Sequence, residues 1–279
     1  MSRRRRFSPV LVSVVAGSLI LHGCAAGRDR LTWGAATAPQ ALDAPQAPQR
    51  SGTAVALLEG HIAGSAGRPG VVVAAPHGTS DARTGEIAET IARRTGFGLV
   101  VANGFVIEPE AGGRAVRRYQ VNRPSVGVPG GPSSEETATA DARQVYDAYV
   151  QRVRDIAQGP LQFYAEIHGN NRRQTAGRIE IATVGVDREL ALRLRTLAEM
   201  IRDAHLSARP EVVRLDIAVE PADPVFYTAS SAKRDGILTL PLQALHIELP
   251  RAARTEFADV YTAVLADFLV QAVSLPPGR

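Results

Sequence analysis

Three features of this 279-residue sequence predict an α/β fold in one domain, with a mixed, mostly parallel sheet and helices on both of its faces. Short runs of β-branched residues alternate with longer segments whose apolar side chains recur at helical spacing. Most strand-like runs are apolar throughout, as strands covered on both sides require. No internal repeat divides the chain, and a hydrophobic fraction of 45% is ample for one large core.

The elements follow in order. Val55–Leu58 and Val71–Ala75 read as strands. Thr84–Thr95 reads as a helix with Ile87, Ala88, Ile91 and Ala92 on one face and Gly96 as its stop. Leu99–Ala102 is the next strand. Residues 103–133 read as a loop rich in glycine and proline, interrupted by the β-rich "VRRYQV". Ser133 and Glu136 form a capping box, which predicts a long helix from about Ser134 with Ala142, Val145, Tyr146, Tyr149, Val153 and Ile156 inward. Strands are expected at Leu161–Ile167 and Arg178–Thr183, and a helix from Asp187 carries Leu190, Leu194, Leu197 and Ile201 inward. Strands at Val212–Val219 and Ala244–Leu249 precede a closing helix with Phe257, Val260, Tyr261, Val264, Phe268 and Leu269 on its apolar side. Residues 53–279 are thus expected to form a single domain.

The N-terminus reads differently. Arg3, Arg4, Arg5 and Arg6 precede an apolar run from Phe7 to Leu21, the pattern of a secretory signal over residues 1–23. The only cysteine, Cys24, follows in "LHGC", which resembles a bacterial lipobox whose cysteine is lipidated. Residues 24–52, rich in Ala, Pro, Gln and Gly, bury too little surface to fold and read as a flexible tether. A lipid-anchored protein of the bacterial cell envelope is the expectation. Losing residues 1–23 removes four of 32 basic groups and no acid, which leaves 28 against 28. A neutral chain with 5% aromatic residues argues against a nucleic-acid partner.

Candidate chemistry collects where strands end. His77 and Asp81 follow the first apolar run, Glu166 and His168 close "YAEIHGNNR", and His246 and Glu248 alternate on one face of "LHIELPR". Two histidines and a carboxylate, with one position left for water, are what a catalytic zinc requires. With no cysteine beyond position 24, such a site must use His, Asp and Glu. A further carboxylate would act as general base on the activated water.

The stretches "APHGTSD…TGEIA", "QVNRP", "EIHGNN" and "LHIELPR" together resemble the N-formylglutamate amidohydrolase-like family, relatives of the zinc carboxypeptidases, over roughly residues 70–270. The resemblance implies a zinc carboxypeptidase-like fold, with His77, Asp81 and His168 as zinc ligands and Glu248 as the base. Glu86, inside the expected helix, is the rival to Asp81. The resemblance also makes Asn122 and Arg123 the binders of a substrate carboxylate, a role suited to the planar fork of arginine. Glu166, on the same strand face as His168, would either orient that ligand from behind or pair with an arginine, and His246 lies near the site through its alternation with Glu248. The activity implied is hydrolysis of an amide bond in a small peptide or acyl-amino acid with a free carboxylate. An esterase or deacylase on the same metal site is one alternative, and a binding lipoprotein that lost catalysis is another. "GVPGGP", Gly127 to Pro132, reads as a flexible loop, and His61 in a turn and His205 near a helix end read as solvated.

Overall fold

The computed structural model describes residues 60–107 and 116–276. The signal segment, Cys24, the tether and the strand expected at Val55–Leu58 lie outside the described residues.

The centre is a seven-stranded sheet in the order β1-β3-β2-β7-β10-β8-β9. Its strands are β1 (Gly60–Ser65), β2 (Arg68–Ala75), β3 (Phe97–Gly104), β7 (Phe163–Gly169), β8 (Arg178–Val184), β9 (Asp216–Val219) and β10 (Gln243–Leu249). The middle four, β3, β2, β7 and β10, run parallel. β1 and β8 pair antiparallel to β3 and β10, and β9 joins β8 in parallel. A small sheet of β4 (Val106–Ile107), β5 (Arg117–Tyr119) and β6 (Val126–Gly127) stands apart. The expected single-domain, mostly parallel sheet is what the described residues form.

Helices cover both faces. On one side α1 (Thr84–Thr95), α3 (Arg188–Leu206) and α6 (Ala258–Ala272) pack on Val71, Val73, Phe163, Ile167, Leu245 and Ile247. On the other, α2 (Ala140–Ala157) packs on Val72, Ala74, Tyr164 and Ala244. Two short helices, α4 (Ser230–Asp235) and α5 (Arg251–Arg254), complete the set. Alternation explains what comes next. Residues two apart along β7 and β10 share a face, so the strands that bury Tyr164 and Ala244 under α2 go on to present Glu166, His168, His246 and Glu248 on that same side.

Three expectations are corrected. α2 starts at Ala140, not near Ser134, with Thr139 as N-cap accepting from the Ala142 amide at 3.1 Å. The capping-box acid Glu136 is instead engaged by Arg123 and Ser125, while Thr137 pairs with Val126. The strand expected at Val212–Val219 is only Asp216–Val219, because Val212 lies in a turn and Leu215 contributes core without sheet pairing. His61 sits in β1 opposite Asn103, not in a turn.

Candidate metal centre

β2 ends at Ala75, and the next residues fold into a tight turn in which the Asp81 amide donates to the His77 carbonyl at 2.8 Å. This single helical turn puts residues i and i+4 on one side, so His77 and Asp81 face the same point. The turn packs closely on β3: a Cβ on Gly78 would lie 2.5 Å from Asn103 Oδ1. A larger residue there would have to displace the Asn103 side chain. β7 adjoins β2 and delivers His168 to the same place.

The three potential ligand atoms form a nearly regular triangle. His77 Nδ1 lies 3.2 Å from Asp81 Oδ2 and 3.1 Å from His168 Nδ1, and His168 Nδ1 lies 3.3 Å from Asp81 Oδ2. A tetrahedral ion about 2.0 Å from each ligand requires edges of about 3.3 Å. The outer atoms fix which way the rings present themselves. His77 Nε2 donates to the Gln120 carbonyl at 2.9 Å, which leaves a lone pair on Nδ1 facing a carboxylate oxygen. Burial and the nearby Arg118 charge push the His77 pKa down to about 3 despite Asp81. Burial would raise Asp81, but the two histidines and Arg118 hold its carboxyl well below the usual range. A neutral imidazole and an ionised carboxylate therefore point at one spot from 3.2 Å. A cation satisfies that arrangement.

A second cluster, Glu166, His168 and His246, also brings potential ligand atoms together. Here Glu166 Oε1 is 2.6 Å from His246 Nδ1, a hydrogen-bond length too short for two ligands on one ion. This cluster instead holds the first one. His168 Nε2 faces Glu166 Oε1 at 3.3 Å, and burial is outweighed by Glu166, Asp81 and Glu248 in pushing the His168 pKa up to about 10. Glu166 is wholly buried, which on its own would raise its carboxyl, yet His168 and His246 hold it well below the usual range. Isolating such a charge costs several kcal/mol. Asn122 Nδ2, 3.3 Å from each oxygen, and the Tyr164 hydroxyl at 3.3 Å offset it further.

Glu248 stands in register with His168 on the neighbouring strand. Its Oε1 is 3.3 Å from His246 Nε2, while Oε2 is buried and has no partner among the described residues. Both lie on a cavity of about 610 Å³ that His77, Asp81 and His168 also line.

The remaining expectations fall out unevenly. Glu86 is exposed on α1 and bound to Arg83 at 2.9 Å, so Asp81 is the acid that joins the histidines. Asn122 is fully buried behind Glu166, away from the cavity wall. Arg123 does line the cavity, but Glu136 already occupies its fork at 2.8 and 2.5 Å, and Asn122 Oδ1 accepts from its Nη1 at 2.9 Å. Sequence reasoning missed four contributors. Arg118 donates to Asp81 Oδ1 at 2.9 Å and to Ser80 Oγ. Glu180 accepts from the Phe226 and Tyr227 amides and so holds one cavity rim. Gln120 and Asn122 flank Val121, whose φ of 57° turns the Gln120 carbonyl to His77 and the Asn122 amide to Glu166. Arg254 lies against Gly169, where a Cβ would come within 2.5 Å of its Cζ. It ties the Ala82, Leu249 and Asn170 carbonyls together. The only sequence signal for any of these was the placing of Arg118 and Gln120 within four residues of Asn122.

Comparison with protein families and with curated proteins found no match. Among solved structures, a bacteriophage poly-γ-glutamate hydrolase is 13% identical, with a TM-score of 0.45 over 78% of this chain and 92% of that one. A gene product of Agrobacterium tumefaciens is 14% identical, with a TM-score of 0.45 over 77% and 92%. A protein called YndL, in zinc-free form, is 11% identical, with a TM-score of 0.42 over 76% and 89%. At these identities and scores, neither activity nor substrate passes from those proteins to this chain.

Proposed function

We propose that the protein is a zinc-dependent hydrolase of amide bonds, with His77, Asp81 and His168 as the ligands. The observation that carries this reading is the triangle of His77 Nδ1, Asp81 Oδ2 and His168 Nδ1, with edges of 3.1 to 3.3 Å, on the wall of an open cavity. Three nitrogen and oxygen ligands and one free position are the donor set of a catalytic zinc. Zinc in such a site polarises a carbonyl and lowers the pKa of water.

The chain's own groups have separate tasks. Glu248 Oε2, buried and unpartnered, takes a proton from water and returns it to the leaving nitrogen. Arg118, which lines the cavity beside Asp81, supplies positive charge where the carbonyl oxygen becomes negative. Glu166 and the Gln120 carbonyl hold the two imidazoles in the orientation a metal needs. The substrate in this reading is a small peptide or acyl-amino acid with a free carboxylate. "LHGC" after an apolar run supports a lipid anchor at Cys24 and a place in the cell envelope.

The test is metal analysis of purified protein together with hydrolysis of a panel of N-acyl amino acids and short peptides. About one equivalent of zinc and chelator-sensitive cleavage are expected. Tight zinc binding without cleavage of any amide would leave a binding protein, and absence of zinc would remove the reading.

A further inference from the structure

We infer that a second cavity beside the metal ligands is a subsite for acidic groups, so that the substrate is a chain bearing several carboxylates. This rests on the hydrolase reading above and extends it. The cavity, of about 500 Å³, shares Ser80, Asp81, Gly169, Asn170, Asn171 and Arg172 with the main one. A molecule reaching the ligands can therefore run on into it.

Its charge is one-sided. Arg172, Arg173, Arg251 and Arg254 line it, and Asp81 is the only acid on its wall. Asp81 is committed to Arg118 and the histidines. None of the four arginines forms an ion pair among the described residues, and the cavity gathers all four on one wall. Arg254 donates to the Ala82, Leu249 and Asn170 carbonyls and to Asn171 Oδ1, with no carboxylate among its hydrogen-bond partners in the described residues. Arg172 is held in place without being neutralised: it donates to the Gly130 carbonyl at 3.1 Å and lies 4.7 Å from the Phe226 ring centre. Asn170, buried on the shared wall, has an Nδ2 with no partner among the described residues. A low-dielectric cleft lined by one sign of charge concentrates ligands of the other.

The Arg123–Glu136 pair sharpens the point. With its fork filled and its charge matched, Arg123 is not the open carboxylate reader of this site. Arginines without an ion pair line the second cavity instead. Guanidinium forks suit carboxylate and phosphate alike. Carboxylates are assigned because the adjoining site is read as one for amide bonds, whose natural acidic substrates are peptides.

The experiment uses the full chain, zinc-loaded and metal-free, with fluorescent tetraglutamate and tetraglutamine as probes. Tetraglutamate should bind at least about tenfold more tightly by anisotropy, the effect of about one good charge-assisted contact. Arg173→Ser/Arg251→Ser, at two exposed positions, should erase most of that difference. It should also lower the ratio of kcat/KM for acidic over neutral peptides. Equal binding of the two peptides, or an unchanged ratio in the double variant, would overturn the subsite. Triphosphate displacing tetraglutamate at lower concentration than free tetraglutamate does would overturn its assignment to carboxylates. The two readings separate cleanly. Tetraglutamate binding without cleavage of any amide sinks the hydrolase and keeps the subsite, whereas cleavage with no acidic preference sinks the subsite alone.

Discussion

Glu248 and His168 face each other in register on adjacent parallel strands, which puts a carboxylate with one unpartnered oxygen beside a candidate metal ligand. Glu248→Gln keeps the shape and removes the basicity. Turnover should fall by about 10²–10⁴-fold with zinc content unchanged. Loss of zinc in this variant would make Glu248 a ligand, and full activity would remove it from the chemistry.

Glu166 touches His168, His246 and Asn122 but does not reach the cavity. Glu166→Gln should weaken zinc binding by about 10–100-fold, as loss of a ligand-orienting carboxylate does. Competition with a chromogenic chelator measures this directly. An unchanged affinity would mean that β7 alone positions the ring.

Protons and metal should compete for His168. In the metal-free protein burial works against its charge, but Glu166 and Asp81 push its pKa up to about 10, while burial and Arg118 push His77 down to about 3. At pH 7 the pair carries its proton on His168. Zinc binding should then release about one proton, visible by calorimetry in buffers of different ionisation enthalpy.

The same shift has a thermal counterpart. A pKa raised on folding gives stability that is fully present below the ordinary histidine value of 6.5 and is lost as pH rises through about 10. The Tm of the metal-free protein should fall across that interval, and zinc should abolish the fall. A metal-free Tm that climbs between pH 7 and 10 would show that His168 is not held charged.

Arg123 and Glu136 form a nearly buried pair, with side chains 17% and 7% exposed. Glu136→Ala leaves the guanidinium with half its partners and should cost about 1–3 kcal/mol in urea unfolding. A cost near zero would mean that solvent reaches Arg123, whose fork would then be available to a substrate.

The sequence made the periodic elements legible because their signal is local. The inward faces of α2 and α6 are the ones their apolar spacing marks, and β7, β8 and β10 fall within two residues of expectation. That His77, Asp81 and His168 come together was legible as well, since the two histidines follow apolar runs and Asp81 lies four residues after the first of them. What stayed hidden depends on contacts between distant segments. Ser133 and Glu136 had the spacing of a helix cap, but Arg123 competes for that acid from 13 residues away. Nothing local marks Glu180 as the anchor of the 226–227 amides, or Arg254 as the tie between three strand ends. Asn122 was expected to bind a substrate carboxylate but turns to Glu166, because a motif gives residue order and not the direction a side chain takes after the turn at Val121.

β7 and β10 occupy the fourth and fifth places in a seven-stranded sheet, flanked on both sides by paired strands. Amides in such positions exchange with solvent only when the whole domain opens, unlike those at the edges. A bound ion is therefore not freed by local breathing of the strands that carry His168 and Glu248. It leaves along the cavity, while the fold around it persists, so the off-rate of the metal should track access to that opening and be nearly independent of global stability. Destabilising substitutions under α6 would shorten the protein's lifetime long before they loosened its grip on the ion.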